Sequence, residues 1–493
     1  MEAEARIATT GNPYGDRWKV MTAVGAGVLL ATVDGSIVNV ALPTLVRALD
    51  TRFSVVQWVI LGYLLTLTVL LLTVGRLADI LGKKPLYNSG FAVFTIGSVL
   101  CGISPNVELL IASRILQGIG ASMILALGPA IVTEAFPARE RGRALGVIGS
   151  IVSIGIVIGP ALGGFLVETW SWHWIFFVNI PVGIAGMILV WRFVPSLRAP
   201  GGQRFDIAGA LVFSASLLSL LLALTLGQTR GFTAPVILEL FSGFVVSGAV
   251  FVWIELHVAQ PMIAPRLFRS PVLATNLFTG LVTFVCAAGI LLLVPFYLEN
   301  VLAFDPRRTG LLMSAVPVAL GISAPLSGIA SDRFGSRPLT VIGLAVLVLA
   351  YLGLRTVDAT TGMLGFVLRF APVGLGMGLF QSPNNSAIMG TAAPRELGVV
   401  SGLLAITRTL GQTTGIAIIG ALWAARTLAR GAGQLGTDAT EAAPGAQVHG
   451  LQDTLAVVTA LLGIALLVGI WAWARERRRN GDVTADLSGR PSP

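Results

Sequence analysis

The chain has 493 residues, of which 55% are hydrophobic and only 12% charged, where ordinary soluble domains carry about 25% charged residues. That balance excludes a soluble fold and points to a polytopic membrane protein. Most basic residues behind the net charge of +9 fall on one alternate set of loops and tails, the asymmetry that orients a protein in a bilayer, so no nucleic-acid partner is implied.

Apolar runs long enough to cross a hydrocarbon core of about 30 Å as helix are expected near 20–43, 55–75, 86–104, 107–129, 144–167, 173–194 and 207–227. Seven more follow near 235–255, 273–298, 309–331, 338–355, 362–383, 399–424 and 452–474. The expectation is an all-α polytopic membrane protein with fourteen spans, both termini on the cytoplasmic side, since Arg6, Arg17 and Lys19 precede the first span and Arg475 and Arg477 follow the last. Residues 1–19 lack the apolar core and cleavage site of a signal peptide, so the first span is expected to stay as a signal anchor. Cys101 and Cys286 stand far apart, without a Cys or His companion at metal-ligand spacing, and read as small buried hydrophobes.

The first span holds Asp34, the one carboxylate placed deep inside an apolar run. A charge there costs at least about 2.5 kcal/mol, so an intramembrane ionisable group is functional by default. After the second span comes a knot of charge, Gly75-Arg76-Leu77-Ala78-Asp79-Ile80-Leu81-Gly82-Lys83-Lys84-Pro85, and after the tenth its Gly, Asp, Gly, basic and Pro positions recur in 328–338, with Asp332, Arg333, Gly335 and Pro338. Such long-period self-similarity marks a duplicated architecture. Arg114 in the fourth span and Arg369 in the twelfth each precede a Gly-x-Gly, Gly118 with Gly120 and Gly374 with Gly376. A plain duplication would separate the copies by six spans, and here eight separate them. Two spans are therefore extra, which divides the chain into an N-terminal six-helix half (1–195), two inserted helices with linkers (196–272), a C-terminal six-helix half (273–475) and a tail (476–493).

The fifth span carries Gly155-x-x-x-Gly159-Pro160-x-x-Gly163-Gly164, in which Gly permits close helix approach and Pro removes a backbone donor and bends the helix. Arg114 and Gln117, three apart, share a helix face, as do Arg408 and Gln412, four apart. With Ser401, Ala405 and Gly415 the latter face reads as a small, polar stripe lining a cavity. Asn39, Gln117, Gln381, Asn384, Arg408 and Gln412 are the expected polar contacts of a substrate cavity, with Trp58 and Tyr63 as aromatic walls. Arginines inside the spans outnumber Asp34, which disfavours dicationic substrates and leaves neutral, zwitterionic or anionic amphiphiles open. The three histidines, His173, His257 and His449, fall at span edges or in loops. No nucleophile-base pair, metal-ligand spacing or phosphate loop stands out, so the chain is not expected to be an enzyme.

The connector at 75–85 resembles the major facilitator superfamily signature between its second and third helices, and the fifth-span string resembles the signature of that superfamily's proton-coupled antiporters. With Asp34-Gly35-Ser36-Ile37-Val38-Asn39 and Arg114-x-x-Gln117-Gly118-x-Gly120, the chain resembles the fourteen-helix drug/proton antiporter branch, the EmrB/QacA-like multidrug exporters. Ile80 departs from it, since the family usually has a basic residue after the connector Asp. The resemblance implies a major facilitator fold in the bacterial inner membrane, exporting small amphipathic substrates by alternating access as a monomer, with no cofactor and the proton gradient as energy source. It implies that Gly75, Asp79, Gly82, Lys83, Lys84, Asp332 and Arg333 form a conformational latch facing a helix start near 397–401, a position where a carboxylate gains about 0.3–1 kcal/mol. The expected proton-coupling pair is Asp34 and Arg114, although a fixed structural ion pair is the competing reading. Transport of a lipid, an envelope precursor or an endogenous secondary metabolite stays open as the alternative function.

Overall fold

The computed structural model describes residues 16–137, 140–195, 207–231, 233–258, 270–391, 397–430 and 438–488. In hydrocarbon every backbone N–H and C=O has to be satisfied within the segment, and the apolar runs answer this as helices. In chain order these are α1 (Arg17–Ala48), α2 (Trp58–Leu81), α3 (Lys83–Gly102), α4 (Val107–Ala135), α5 (Arg141–Thr169), α6 (Asn179–Phe193) and α7 (Ile207–Arg230). They continue as α8 (Pro235–His257), α9 (Pro271–Phe296), α10 (Ala315–Phe334), α11 (Ser336–Leu354), α12 (Met363–Met389), α13 (Leu397–Arg430) and α14 (Pro444–Ser488). A π-helical turn, Tyr297–Val301, extends α9, and a short helix, Pro306–Met313, leads into α10.

Twelve helices among the described residues are long and apolar enough to cross a membrane. That measure supports about twelve spans and does not reach the expected count of fourteen. The two that fall short are α3, which opens on Lys83 and Lys84, and α13, which carries Arg408, Gln412 and a run of threonines.

Packing repeats along the chain. Helix α1 packs on α5 and α6, α2 on α4, and α3 on α4 and α6; eight helices later α9 packs on α13 and α14, α10 on α12, and α11 on α12 and α14. The paired Gly-x-Gly motifs show why. A Cβ on Gly118 would sit 2.9 Å from the Tyr63 carbonyl of α2, and one on Gly120 would strike the Phe94 backbone of α3. In the second set Gly374 meets the Val316 carbonyl and Gly376 the Leu347 nitrogen, at 2.9 Å. One glycine in each pair admits one neighbour, so α4 and α12 each nest between two helices. Helix α7 packs on α8, α2 and α13, and the Ser214 hydroxyl on α7 donates to the Val69 carbonyl of α2 at 3.3 Å. Exposed Val245, Val246, Trp253 and Leu256 make α8 the most outward-facing of the two.

The connector repeat is also a repeat of backbone geometry. Gly82 has φ +89° and Gly335 φ +84°, each ending a helix by donating to a carbonyl four residues back, Ala78 at 3.0 Å and Ser331 at 2.9 Å. A side chain in that region is strained by about 1–3 kcal/mol. Gly82→Ala and Gly335→Ala are each expected to lower stability by that amount in thermal unfolding of detergent-purified protein; unchanged melting would show that the connector relaxes without cost. Lys83 pairs with Glu134 at the end of α4, and the Lys84 ammonium donates to the Trp191 carbonyl of α6 at 2.8 Å. Gly75 lies within α2, and Arg333 is exposed near the end of α10. The side chains of Asp79 and Asp332 and the segment 392–396 lie outside the described residues, and so does the expected latch.

At the opposite end the first and last six helices are locked together. Arg47 at the end of α1 pairs with Glu299 beyond α9 at 2.7 Å, and the Phe53 amide donates to the Asp438 carboxylate at 2.7 Å. The Phe53 ring lies edge-on to Phe296 at 5.1 Å and to Trp423 at 4.9 Å. On the far side Gly164 packs on Pro306 and Gly310 with no room for a side chain on either glycine, and Ser314 donates to the Val157 carbonyl at 3.3 Å. At the connector end Arg17 pairs with Glu140, Lys19 with Asp16 and Lys83 with Glu134 within the N-terminal half, and Arg337 pairs with Glu476 at the start of the tail.

Candidate transport site

Two features occupy the middle of the bundle, a buried polar network and a cavity beside it. Asp34 on α1 and Arg114 on α4 are 0% and 1% exposed. Arg114 Nη1 donates to Asp34 Oδ2 at 2.5 Å, while Gln117 Nε2 and Asn179 Nδ2 each donate to Asp34 Oδ1 at 2.8 Å. The carboxylate thus faces three donors and no acceptor, a set matched to its ionised form. Each partner is held in turn. Arg114 Nε donates to the Val59 carbonyl at 3.0 Å, its guanidinium lies 4.2 Å over the Tyr63 ring, and another N–H reaches Gln117 Oε1. Gln117 also donates to Ser98 Oγ on α3 at 2.8 Å. Helices α1, α4 and α6 therefore meet at one carboxylate, and α2 and α3 hold its partners.

Helix α5 sets how closely α1 can be approached. Gly155 lies against Thr32, Gly159 against Ser36 and Gly163 against Ile37, in each case without space for a Cβ, and Ser36 Oγ donates to the Gly155 carbonyl at 3.2 Å. The glycine string is thus a groove for the Asp34 helix. Its last residue, Gly164, belongs instead to the contact between halves, while Pro160 lines the cavity.

The cavity, of about 270 Å³, lies between the halves. Its wall is mainly apolar, with Ile60, Leu64, Phe284, Tyr351, Phe370 and Met377 among its residues, and Asn39, Gln381, Arg408 and Gln412 supply polar groups. Thr32, Gly35 and Ser36 on α1 also line it, so the helix that presents Asp34 to its partners shows a neighbouring face to the cavity. Arg408 is the one charged residue among the described lining residues, and no ion pair or hydrogen bond engages its guanidinium there. By insertion scales an arginine at mid-span costs about 2.5–3.5 kcal/mol.

Three expected cavity residues are placed elsewhere. Gln117 is spent on Asp34, Ser98 and Arg114. Trp58 packs against the hydrophobic core, and Asn384 is buried beside Gly280, its Oδ1 without a hydrogen-bond partner among the described residues. Gly415 likewise turns from the stripe to admit the Val285 carbonyl of α9. Arg369, the repeat counterpart of Arg114, sits near its helix start, donating to Thr356 Oγ1 at 2.7 Å. Asn179 belongs to no motif in the sequence; its one signal there is a lone amide within a long apolar run.

Paired six-helix packing, a charged network buried in mid-bundle and a cavity between halves are the architecture of a membrane transporter. The chain belongs to the Major Facilitator Superfamily, whose family model matches residues 24–416. It is 34% identical over 413 residues to the riboflavin transporter RibZ of Clostridioides difficile (strain 630), covering 83% of this chain and 88% of that protein. It is also 34% identical over 407 residues to the multidrug resistance protein Stp of Mycobacterium tuberculosis (strain CDC 1551 / Oshkosh), covering 82% and 75%. Its fold superimposes with a TM-score of 0.64 on the crystal structure of a bacterial homolog of the human lysosomal transporter Spinster, at 15% identity over 93% of this chain and 97% of that one.

Proposed function

We propose that the protein is a proton-coupled antiporter of the fourteen-helix drug/proton branch, exporting small amphipathic compounds across the bacterial inner membrane. The observation that carries this reading is Asp34, buried among three donors on a helix that also lines the cavity. Protonating it would replace an acceptor by a donor facing donors, so the proton forces the network to rearrange. The rearrangement reaches α1, α4 and α6 together, which gives a proton a means of biasing the packing around the cavity. In this reading α3 and α13 are spans, the divisions at 195, 272 and 475 separate two six-helix halves, an inserted pair and a tail, and both termini are cytoplasmic. In this reading the form sealed at the Arg47–Glu299 end is the one facing the cytoplasm.

The multidrug name of one relative and the riboflavin name of another agree on small organic substrates, and the mainly apolar cavity favours those with apolar surface. A lipid substrate would need a lateral path between halves. Helix α7 lies against both α2 and α13 and covers that flank. The test is uptake of N-phenyl-1-naphthylamine into everted vesicles energised by a pH gradient. Uptake is expected to collapse with a protonophore; uptake indifferent to the gradient would overturn proton coupling.

A further inference from the structure

We propose that the cavity selects amphipathic organic monoanions, whose acidic group is held by Arg408 and whose apolar body fills the rest; this rests on the transport reading above. The charge inventory leads here. In the bundle centre Asp34 and Arg114 cancel each other, and Arg408 remains, facing the cavity without a partner among the described residues. Among the described lining residues there is no carboxylate to answer it. A guanidinium offers five donors in a planar fork that fits carboxylate or sulfonate oxygens two at a time. The groups near its face of α13, Thr409 and Gln412, and those across the cavity, Gln381 and Asn39, are uncharged. They can accept or donate to a polar substituent without competing for the guanidinium.

An unpaired cation in an apolar, weakly polarisable space repels a second cation and attracts an anion far more strongly than it would in water. The same walls reject a strongly hydrated inorganic anion, which would lose its water and gain no apolar contact. Selection therefore falls on molecules that combine one acid with a large hydrophobic surface. Dicationic dyes are disfavoured on the same ground. A bound monoanion also neutralises the core, which lowers the cost of carrying Arg408 through the change between the two facing states.

Binding of three probes to full-length protein in nanodiscs, corrected with empty discs, tests this. 8-Anilinonaphthalene-1-sulfonate and N-phenyl-1-naphthylamine share a scaffold and differ by the sulfonate, and tetraphenylphosphonium supplies a cation of similar bulk. The sulfonate is expected to bind about tenfold or more tightly than its neutral counterpart, the value of one charge-assisted hydrogen-bonded contact, and the cation most weakly. Arg408→Gln should bring sulfonate and neutral probe to parity, and Arg408→Lys should retain part of the preference. Parity in the wild type, tighter binding of the cation, or a preference unchanged in folded Arg408→Gln would each overturn the proposal. The wild-type comparison decides alone if Arg408→Gln fails to fold. Gradient-driven transport of the neutral probe alongside parity would refute anion selection and leave the antiporter standing. Anion-selective binding with no gradient-driven movement would do the reverse.

Discussion

Asp34→Ala should cost about 3–5 kcal/mol of stability, the penalty for leaving one partner of a buried ion pair uncompensated. The estimate follows from what Asp34 accepts. Its removal strands the Arg114 charge at 1% exposure and leaves Gln117 Nε2 and Asn179 Nδ2 without the oxygen they share. Each stranded donor adds about 1–3 kcal/mol. Asp34→Ala with Arg114→Leu should recover the part due to the stranded charge, because replacing both members of a buried pair by apolar groups is often neutral. Asp34→Asn separates stability from coupling. The amide keeps the shape and one acceptor oxygen, so it should lose less stability than Asp34→Ala, although Arg114 is still left without its counter-charge. It should also abolish substrate-induced proton release from vesicles. A folded Asp34→Asn protein that still exchanges protons for substrate would remove Asp34 as the carrier and leave the ion pair as a structural tie. Thermal unfolding and a pH-sensitive dye trapped in the same proteoliposomes read both quantities.

These residues differ in how far sequence alone could place them. Asp34 and Arg114 stand out because a charge inside an apolar run has to be answered by another, and the spans offer few. The register of the two repeats was equally legible, because Gly118 and Gly120, Gly374 and Gly376, and Gly82 and Gly335 do the same packing or turning in each copy. The direction in which a polar face looks was not. Arg114 and Gln117 share a face by helical spacing, yet that spacing is silent on whether the face turns to a cavity or to a neighbouring helix. Gln117 turned to Asp34. Asn179 joined the network from a third helix through contacts that no local pattern encodes. Arg408 shows the converse, since its meaning comes from the absence of an acid opposite it, which is visible only once the cavity walls are assembled.

Gly164→Val should prevent the two halves from closing at the Arg47–Glu299 end and hold the transporter with that end open. Gly164 and Gly310 face each other across the halves. A Cβ on Gly164 would strike the Pro306 carbonyl and lie 3.1 Å from the Gly310 Cα, and a Cβ on Gly310 would strike the Pro160 carbonyl and lie 3.1 Å from the Gly164 Cα. The obstacle on each side is backbone, which cannot rotate away as a flexible side chain would. Overpacking of this kind costs about 1–3 kcal/mol or more, and it falls only on the state in which the halves touch. The whole penalty therefore acts on the conformational equilibrium, and about 3 kcal/mol shifts it by roughly a hundredfold. Spin labels at Pro105→Cys and Ala359→Cys, on loops of the two halves at this end, should report longer separations in Gly164→Val than in the parent. The native Cys101 and Cys286 are buried and free and stay unlabelled. Transport should fall at least about tenfold while probe binding persists, because the cavity residues are untouched. Gly310→Val should act alike, and the two changes together should add little, since either one already parts the same contact. Unaltered label distances in both variants would show that this contact is not the seal, and would move that role to the Arg47–Glu299 pair and the Phe53, Phe296 and Trp423 rings.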